Sequence, residues 1–300
     1  MYNFLNDSKK ESDKIQKNRK KLTRKAKRII SISLILSLFS AFAVSILVSN
    51  FSIKVTTESI TTKKITSPMT VAIISDLHTK SFGENNKKLI DKVAKQNPDV
   101  ILMPGDITSD NSTESKNIEY LENLISKLSN IAPVYFSIGN HERHNPNLDS
   151  MISAISQSGG IVLDADYIDT TINGNPVRIG GISYHRSWDE KSNAYLSDFT
   201  SVSKDTYTLL LCHCPEFYLW GIRNYNIDLI ASGHTHGGMV NVPLKGPLYA
   251  PEQGWFPEYA KGLYETDCKG YLAITTGLAS SPEYLPRIFN RPEIMIVEIE

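Results

Sequence analysis

The residues best able to do chemistry in this 300-residue chain fall in five short motifs. They are Asp76-Leu77-His78, Gly105-Asp106, Gly139-Asn140-His141-Glu142, Cys212-His213-Cys214 and Gly233-His234-Thr235-His236. Five of the seven histidines lie inside them, and each motif closely follows an apolar run with the character of a β-strand. Their side chains are hard oxygen and imidazole nitrogen donors, a set suited to a pair of divalent cations. Two such cations neutralise a phosphate ester and make water nucleophilic near neutral pH, with a shared carboxylate between them and a bridging hydroxide as attacking group. Glycines beside the donors let the backbone turn sharply and keep side chains away from a substrate.

Each motif alone has a plainer reading. Asp76 and Asp106 suit helix caps or turns. His213 suits a satisfied core position between two cysteines. Strand alternation would put His213 on one face and Cys212 and Cys214 on the other, which disfavours thiolate ligation. His144, just past the Asn140-His141 loop, reads as a solvated histidine. His185 and Arg186, beside Tyr184 and Trp188, are candidates for holding a phosphate or a sugar, against the alternative of a plain loop. Arg287 is open between a surface ion pair and a phosphate contact. The loop over residues 243–257, with Tyr249, Trp255 and Phe256, suits a substrate lip or a membrane-facing patch, but ordinary packing at a sheet edge is the preferred reading.

The elements that must carry these motifs alternate. Strands are expected over residues 71–75, 99–103 and 134–138, with helices over 84–96, 114–129 and 148–158 between and after them. The helix over 114–129 places Ile118, Leu121, Leu124, Ile125 and Leu128 at helical spacing. This order argues for a parallel, layered α/β sheet whose ligand site lies at the carboxyl ends of the strands. The second half is richer in strands: 167–172 and 177–182 around an Asn173-Gly174 turn suited to a hairpin, then 206–211, 229–232, 271–275 and 294–299. Two sheets packed face to face with helices outside fit these elements, in one catalytic domain.

In this combination and order, the motifs resemble those of the calcineurin-like metallophosphoesterases, whose series runs D-x-H, G-D, G-N-H-[DE], H and G-H-x-H. The resemblance covers residues 69–300 and implies a two-sheet sandwich flanked by helices. It implies that Asp76, His78 and His236 bind one metal, that Asp106 bridges both, and that Asn140, His213 and His234 complete the second site. His141 would not bind metal. It would protonate the leaving oxygen or stabilise charge on the phosphoryl group. The activity implied is hydrolysis of a phosphodiester or pyrophosphate by metal-bound hydroxide. Mn²⁺ is the activating ion expected in an assay, while Fe, Zn or mixed pairs fit the same ligands.

Ahead of this domain, residues 29–48 form an uncharged apolar run of twenty, enough at ~1.5 Å per residue to span a hydrocarbon core of ~30 Å. Residues 1–28 hold eleven Lys/Arg against three Asp/Glu and read as a disordered basic tail; residues 49–68 read as a linker or a short leading strand. The positive flank places the N-terminus in the cytoplasm and the catalytic domain outside, on a single-pass anchor. Ala41-Phe42-Ala43 has the form of a cleavage site, but the apolar run continues beyond it. The segment Thr276-Gly277-Leu278, with Pro286-Arg287-Ile288-Phe289 and Arg291-Pro292-Glu293-Ile294, is similar to a bacterial membrane-anchored branch of the family. That similarity implies an envelope or lipid-linked phosphate ester as substrate.

Residues 49–300 carry 21 Lys/Arg against 29 Asp/Glu, so long nucleic acid is not expected as a partner. Two other classes stay open: a metal-bearing binding module without catalysis, and a nucleotide phosphodiesterase or nuclease. The full donor set with His141 speaks against the first, the acidic balance against long nucleic acid in the second. Three cysteines are too few for a disulfide framework.

Overall fold

The computed structural model describes residues 2–110, 112–185, 188–280 and 285–300. The chain divides into two compact units, Met1–Leu47 and Val48–Glu300. The described residues of the first are helical and belong to α1 (Tyr2–Phe51). The basic tail is therefore not disordered, as expected above, but helical. No glycine or proline occurs before Pro68, and its lysines, arginines and glutamine are good helix formers. Within α1, Thr23–Phe51 contains an 18-residue stretch of mean hydropathy 2.4 and is long and apolar enough to cross a membrane; a signal sequence has the same character.

The second unit is built on two six-stranded sheets. The first runs β1 (Lys54–Ile60), β16 (Glu293–Ile299), β2 (Met69–Ile73), β3 (Val100–Met103), β4 (Val134–Phe136) and β5 (Gly160–Val162). Strands β2 to β5 are parallel, and β16 is parallel to β1 but antiparallel to β2. Of the two readings for residues 49–68, the leading strand applies to Lys54–Ile60. The second sheet runs β14 (Gly262–Glu265), β15 (Tyr271–Ile274), β9 (Leu229–Ser232), β8 (Tyr207–Cys212), β7 (Asn175–Ile182) and β6 (Asp166–Ile172). Its central strands β7, β8, β9 and β15 are parallel. Asn173 and Gly174 turn β6 into β7 with φ of 50° and 82°, the left-handed pair that a tight primed turn requires.

Alternation along the strands sorts the core into layers. Val71, Ile73, Val100 and Leu102 meet Ile179, Leu209, Leu211 and Ala231 between the sheets. Ala72, Ile101, Met103 and Phe136 face the other way, onto α2 (Lys87–Ala94), α3 (Glu114–Ser129) and α5 (Leu148–Gln157). The far side of the second sheet is covered by α6 (Glu190–Phe199) and α7 (Glu216–Trp220) through Leu196, Phe199 and Phe217. The result is the expected α/β sandwich, with both sheets flanked by helices. Helix α2 starts later than residue 84 because Asn85 and Asn86 have φ of 48° and 61°. A short α4 (Asn140–His144) follows β4, and two hairpins, β10–β11 (Asn241–Val242, Gly246–Pro247) and β12–β13 (Tyr249–Ala250, Gly254–Trp255), follow β9.

Candidate metal centre

Five parallel strands, β2, β3 and β4 of one sheet and β8 and β9 of the other, end on the same edge of the sandwich. The loops that leave them carry the five motifs. Cross-links between loops begin in the backbone: Asp76 N donates to Gly105 O (3.2 Å), His78 N to Asp106 O (3.1 Å) and Gly233 N to His213 O (3.0 Å). His234 N donates to Asp76 Oδ1 (3.0 Å), which ties the loop of one sheet to that of the other.

Asp76, His78, Asp106, His234 and His236 all have φ between 45° and 67°. Non-glycine residues rarely adopt this left-handed region, at a cost on the order of 1 kcal/mol or more each, and surrounding contacts must over-determine them. The packing leaves no slack to relax it. A Cβ at Gly139 would lie 2.2 Å from Asp106 Oδ1, and one at Gly233 would lie 2.2 Å from Ser75 Oγ and 2.5 Å from Asp76 Oδ2.

The side chains converge in two overlapping groups. His78 Nε2 and His236 Nε2 are 3.3 Å apart, and Asp76 Oδ1 lies 3.7 Å from His236 Nε2. His213 Nε2 and His234 Nδ1 each lie 3.0 Å from Asn140 Oδ1. Asp106 Oδ2 stands between the groups, 4.0 Å from His78 Nε2 and 3.1 Å from His213 Nε2. Tautomers follow from the outer partners. His236 Nδ1 donates to Ala279 O (3.0 Å) and His213 Nδ1 to Pro104 O (2.8 Å), so both Nε2 lone pairs point inward.

These residues fit two divalent cations. Asp76, His78, Asp106, His213 and His236 are at most 4% exposed. Burial raises the Asp76 carboxyl pKa, with the neighbouring Asp106 adding to the rise, and burial lowers His78 to about 4, leaving a neutral imidazole. Burial works against charge on His213, yet the carboxylates of Asp106, Asp76 and Glu142 together outweigh it and raise that imidazole to about 9. A divalent cation would displace that proton and compensate both buried carboxylates at once. Cys214, 3% exposed, also approaches His213 and His234, because β8 ends at Cys212 and strand alternation stops there. Burial pushes its thiol pKa well above the usual value, which leaves it a poor thiolate ligand.

His141 lies at the open side, its ring edge-on to His78 with centroids 4.4 Å apart and its Nε2 3.9 Å from Asp106 Oδ2. Its Nδ1 is held by Asp110 Oδ1 at 3.0 Å, a partner that no motif announces. Two further carboxylates support the centre. Glu142, the last residue of the third motif, is 1% exposed and accepts from the backbone N–H groups of Asp106, Ile107, Thr108 and Gly139. Glu252, in the β12–β13 turn, lies 3.0 Å from His234 Nε2.

The substrate candidates separate. His185 lines a cavity of about 550 Å³ with Arg143, His144, Ser183 and Tyr184; its ring lies 4.7 Å from Phe217. Arg186 lies outside the described residues. Arg287 is not at the surface, so a surface ion pair is excluded. It is fully buried, and its guanidinium donates to the carbonyls of Ala279 and Thr276. Ala279 O also accepts from His236, so Arg287 braces the metal centre from behind. A second cavity, of about 440 Å³, opens beside His78 and is lined by Asn50, Phe51, Thr79, Lys80, Ser112, Ala279 and Ser280.

Comparison with known proteins finds related chains. Residues 69–238 match the model of the calcineurin-like phosphoesterase family. The chain is 27% identical over 237 residues to the phosphodiesterase YaeI of Escherichia coli, covering 77% of this chain and 82% of that one. It is 26% identical over 230 residues to the uncharacterized metallophosphoesterase YkuE of Bacillus subtilis, covering 75% and 77%. Among solved structures, TT1561 of Thermus thermophilus superposes with a TM-score of 0.46 at 9% identity, covering 71% of this chain and 91% of that one.

Proposed function

Because the chain belongs to the calcineurin-like phosphoesterase family, we propose that its buried histidine and aspartate centre hydrolyses a phosphodiester or pyrophosphate bond in an envelope or lipid-linked substrate. The observation that carries this reading is the position of Asp106 Oδ2, shared between the His78 and His213 groups. Asp76, His78 and His236 would hold one cation and Asn140, His213 and His234 the other, with Asp106 common to both. Cations bound there supply charge neutralisation and a nucleophile at neutral pH, and manganese, iron and zinc all accept this donor set.

The remaining residues do their work around the cations. His141, its Nδ1 proton held by Asp110, presents Nε2 to the open side and there passes a proton to the leaving oxygen. Pro104 and Ala279 carbonyls keep two imidazoles in the ligating tautomer, and Glu252 orients a third. The cavity beside His78 gives one arm of a diester somewhere to lie. A lipid-linked substrate is supported by this cavity, whose wall includes Asn50 and Phe51, within three residues of the end of the apolar run at Val48. The phosphodiesterase name of the relative YaeI supports a diester.

The test is hydrolysis of bis(p-nitrophenyl) phosphate by the purified full chain in detergent, stripped of metal and then given Mn²⁺. We expect turnover only with metal, and loss of both cations and nearly all activity in Asp106→Asn. An Asp106→Asn protein that keeps two cations refutes the shared carboxylate. A wild-type protein that binds two cations but turns over no diester favours the binding-module reading.

A further inference from the structure

Among the described residues from Asn50 onward, ten large apolar side chains are exposed, and seven of them lie in three segments. The most exposed are Leu244 at the tip of the β10–β11 hairpin, Phe51, Trp255, Phe256, Tyr249 and Phe289. Ordinary sheet-edge packing, the reading preferred for residues 243–257, does not hold: Leu244 is fully exposed and Trp255 is 69% exposed. Hairpin tips show such side chains to solvent only at a cost, so a cluster of them marks an interaction surface.

The three segments form one continuous layer. Asn290 N donates to Ser49 Oγ (3.3 Å), and Asn50 exchanges two hydrogen bonds with the Arg287 backbone, both 3.1 Å. Ile288 forms a bridge with Val240 and donates to Met239 O, while Asn241 N donates to Ile288 O. From there Leu248 N donates to Val240 O and Phe256 N to Leu248 O, both 2.9 Å, and the Tyr249 and Trp255 rings meet edge to face at 5.7 Å. The layer thus starts at Ser49, the residue after the last of the apolar run.

We propose that this aromatic layer rests in the interfacial zone of a lipid bilayer. Three observations favour a bilayer as the occupant. The layer is bonded to Ser49 and Asn50, which directly follow the apolar run in sequence. Its composition of tryptophan, tyrosine and phenylalanine is that of membrane interface belts. Exposed Lys245, next to Leu244, can reach phosphate headgroups while Leu244 enters the acyl region. The inference rests on the run being embedded and not on the hydrolytic reading.

The experiment uses the full chain with Cys268→Ser, which leaves only the buried Cys212 and Cys214, plus Leu244→Cys labelled with an environment-sensitive fluorophore. Lys204→Cys, exposed at the opposite end of β8, is the control. Both are reconstituted in phosphatidylcholine/phosphatidylglycerol vesicles with plain or brominated acyl chains. We expect the Leu244 label to lose at least half its emission to brominated chains and the Lys204 label to be unchanged. Equal, minor quenching at both sites in a chain that resists carbonate extraction overturns the proposal. So does a Leu244 label that is shielded only at high protein-to-lipid ratio, since a second copy then covers the layer. A chain that carbonate extracts overturns the anchor itself. None of these outcomes touches the diesterase test.

Discussion

Glu142 offers a sharp test of how the centre is held, because it touches no substrate and yet fixes the loop that carries Asp106. Its Oε2 accepts from Asp106 N (2.8 Å) and Gly139 N (3.1 Å), and its Oε1 from Ile107 N (2.8 Å), Thr108 N (2.9 Å) and Thr108 Oγ1 (3.0 Å). In Glu142→Gln, whichever way the amide turns, its NH2 faces two backbone N–H donors. Hydrogen bonds to a charged group contribute about 1.5–3 kcal/mol each, so two lost bonds amount to roughly 3–6 kcal/mol. Part of this is recovered, because burial and the nearby Asp106 charge already raise the Glu142 pKa and a neutral side chain escapes that cost. A net loss of about 2–4 kcal/mol corresponds to a Tm lower by about 4–16 °C for a domain of this size. Differential scanning fluorimetry of the full chain in detergent reads the shift, and metal analysis of the same samples reads occupancy. We expect both to fall, with diesterase activity down tenfold or more as Asp106 loses its seat. A Tm within about 2 °C of the parent with unchanged metal content would refute the reasoning.

Replacing His141 with Ala should leave both cations bound and lower kcat by about 10²–10⁴-fold with little change in Tm, as expected for a lost general acid; unchanged turnover removes His141 from catalysis. Asp110→Asn should lower kcat less, by about tenfold, because the imidazole keeps a hydrogen-bond partner but a neutral, weaker acceptor holds its ring; an effect equal to that of His141→Ala would mean that Asp110 itself touches the substrate. A phosphatase reporter fused after Glu300 should be active only when exported, given the basic flank before the apolar run. A reporter active only in the cytoplasm would invert the topology.

Much of this molecule was legible in its residues because the governing signals are local. The helix Glu114–Ser129 has the expected bounds, set by a repeat of apolar positions within a few turns. The Asn173-Gly174 turn specified its hairpin through backbone sterics of two residues. Donor type, strand ends and neighbouring glycines marked Asp76, His78, Asp106, Asn140, His213, His234 and His236, since each property belongs to a stretch of three or four residues. Packing of the two sheets decided what these donors do together. Asp106 meets His213 across 107 positions of sequence and from a different sheet, and that convergence makes its carboxylate a shared one. The same long-range packing buried Arg287, which the sequence left at the surface or on a phosphate, and brought in Asp110, Glu142 and Glu252 as supports. It also turned the aromatic residues of 243–257 outward. A sequence states which groups can bond and where the backbone can turn. Which groups meet depends on how two buried faces close on each other, a property of the whole chain.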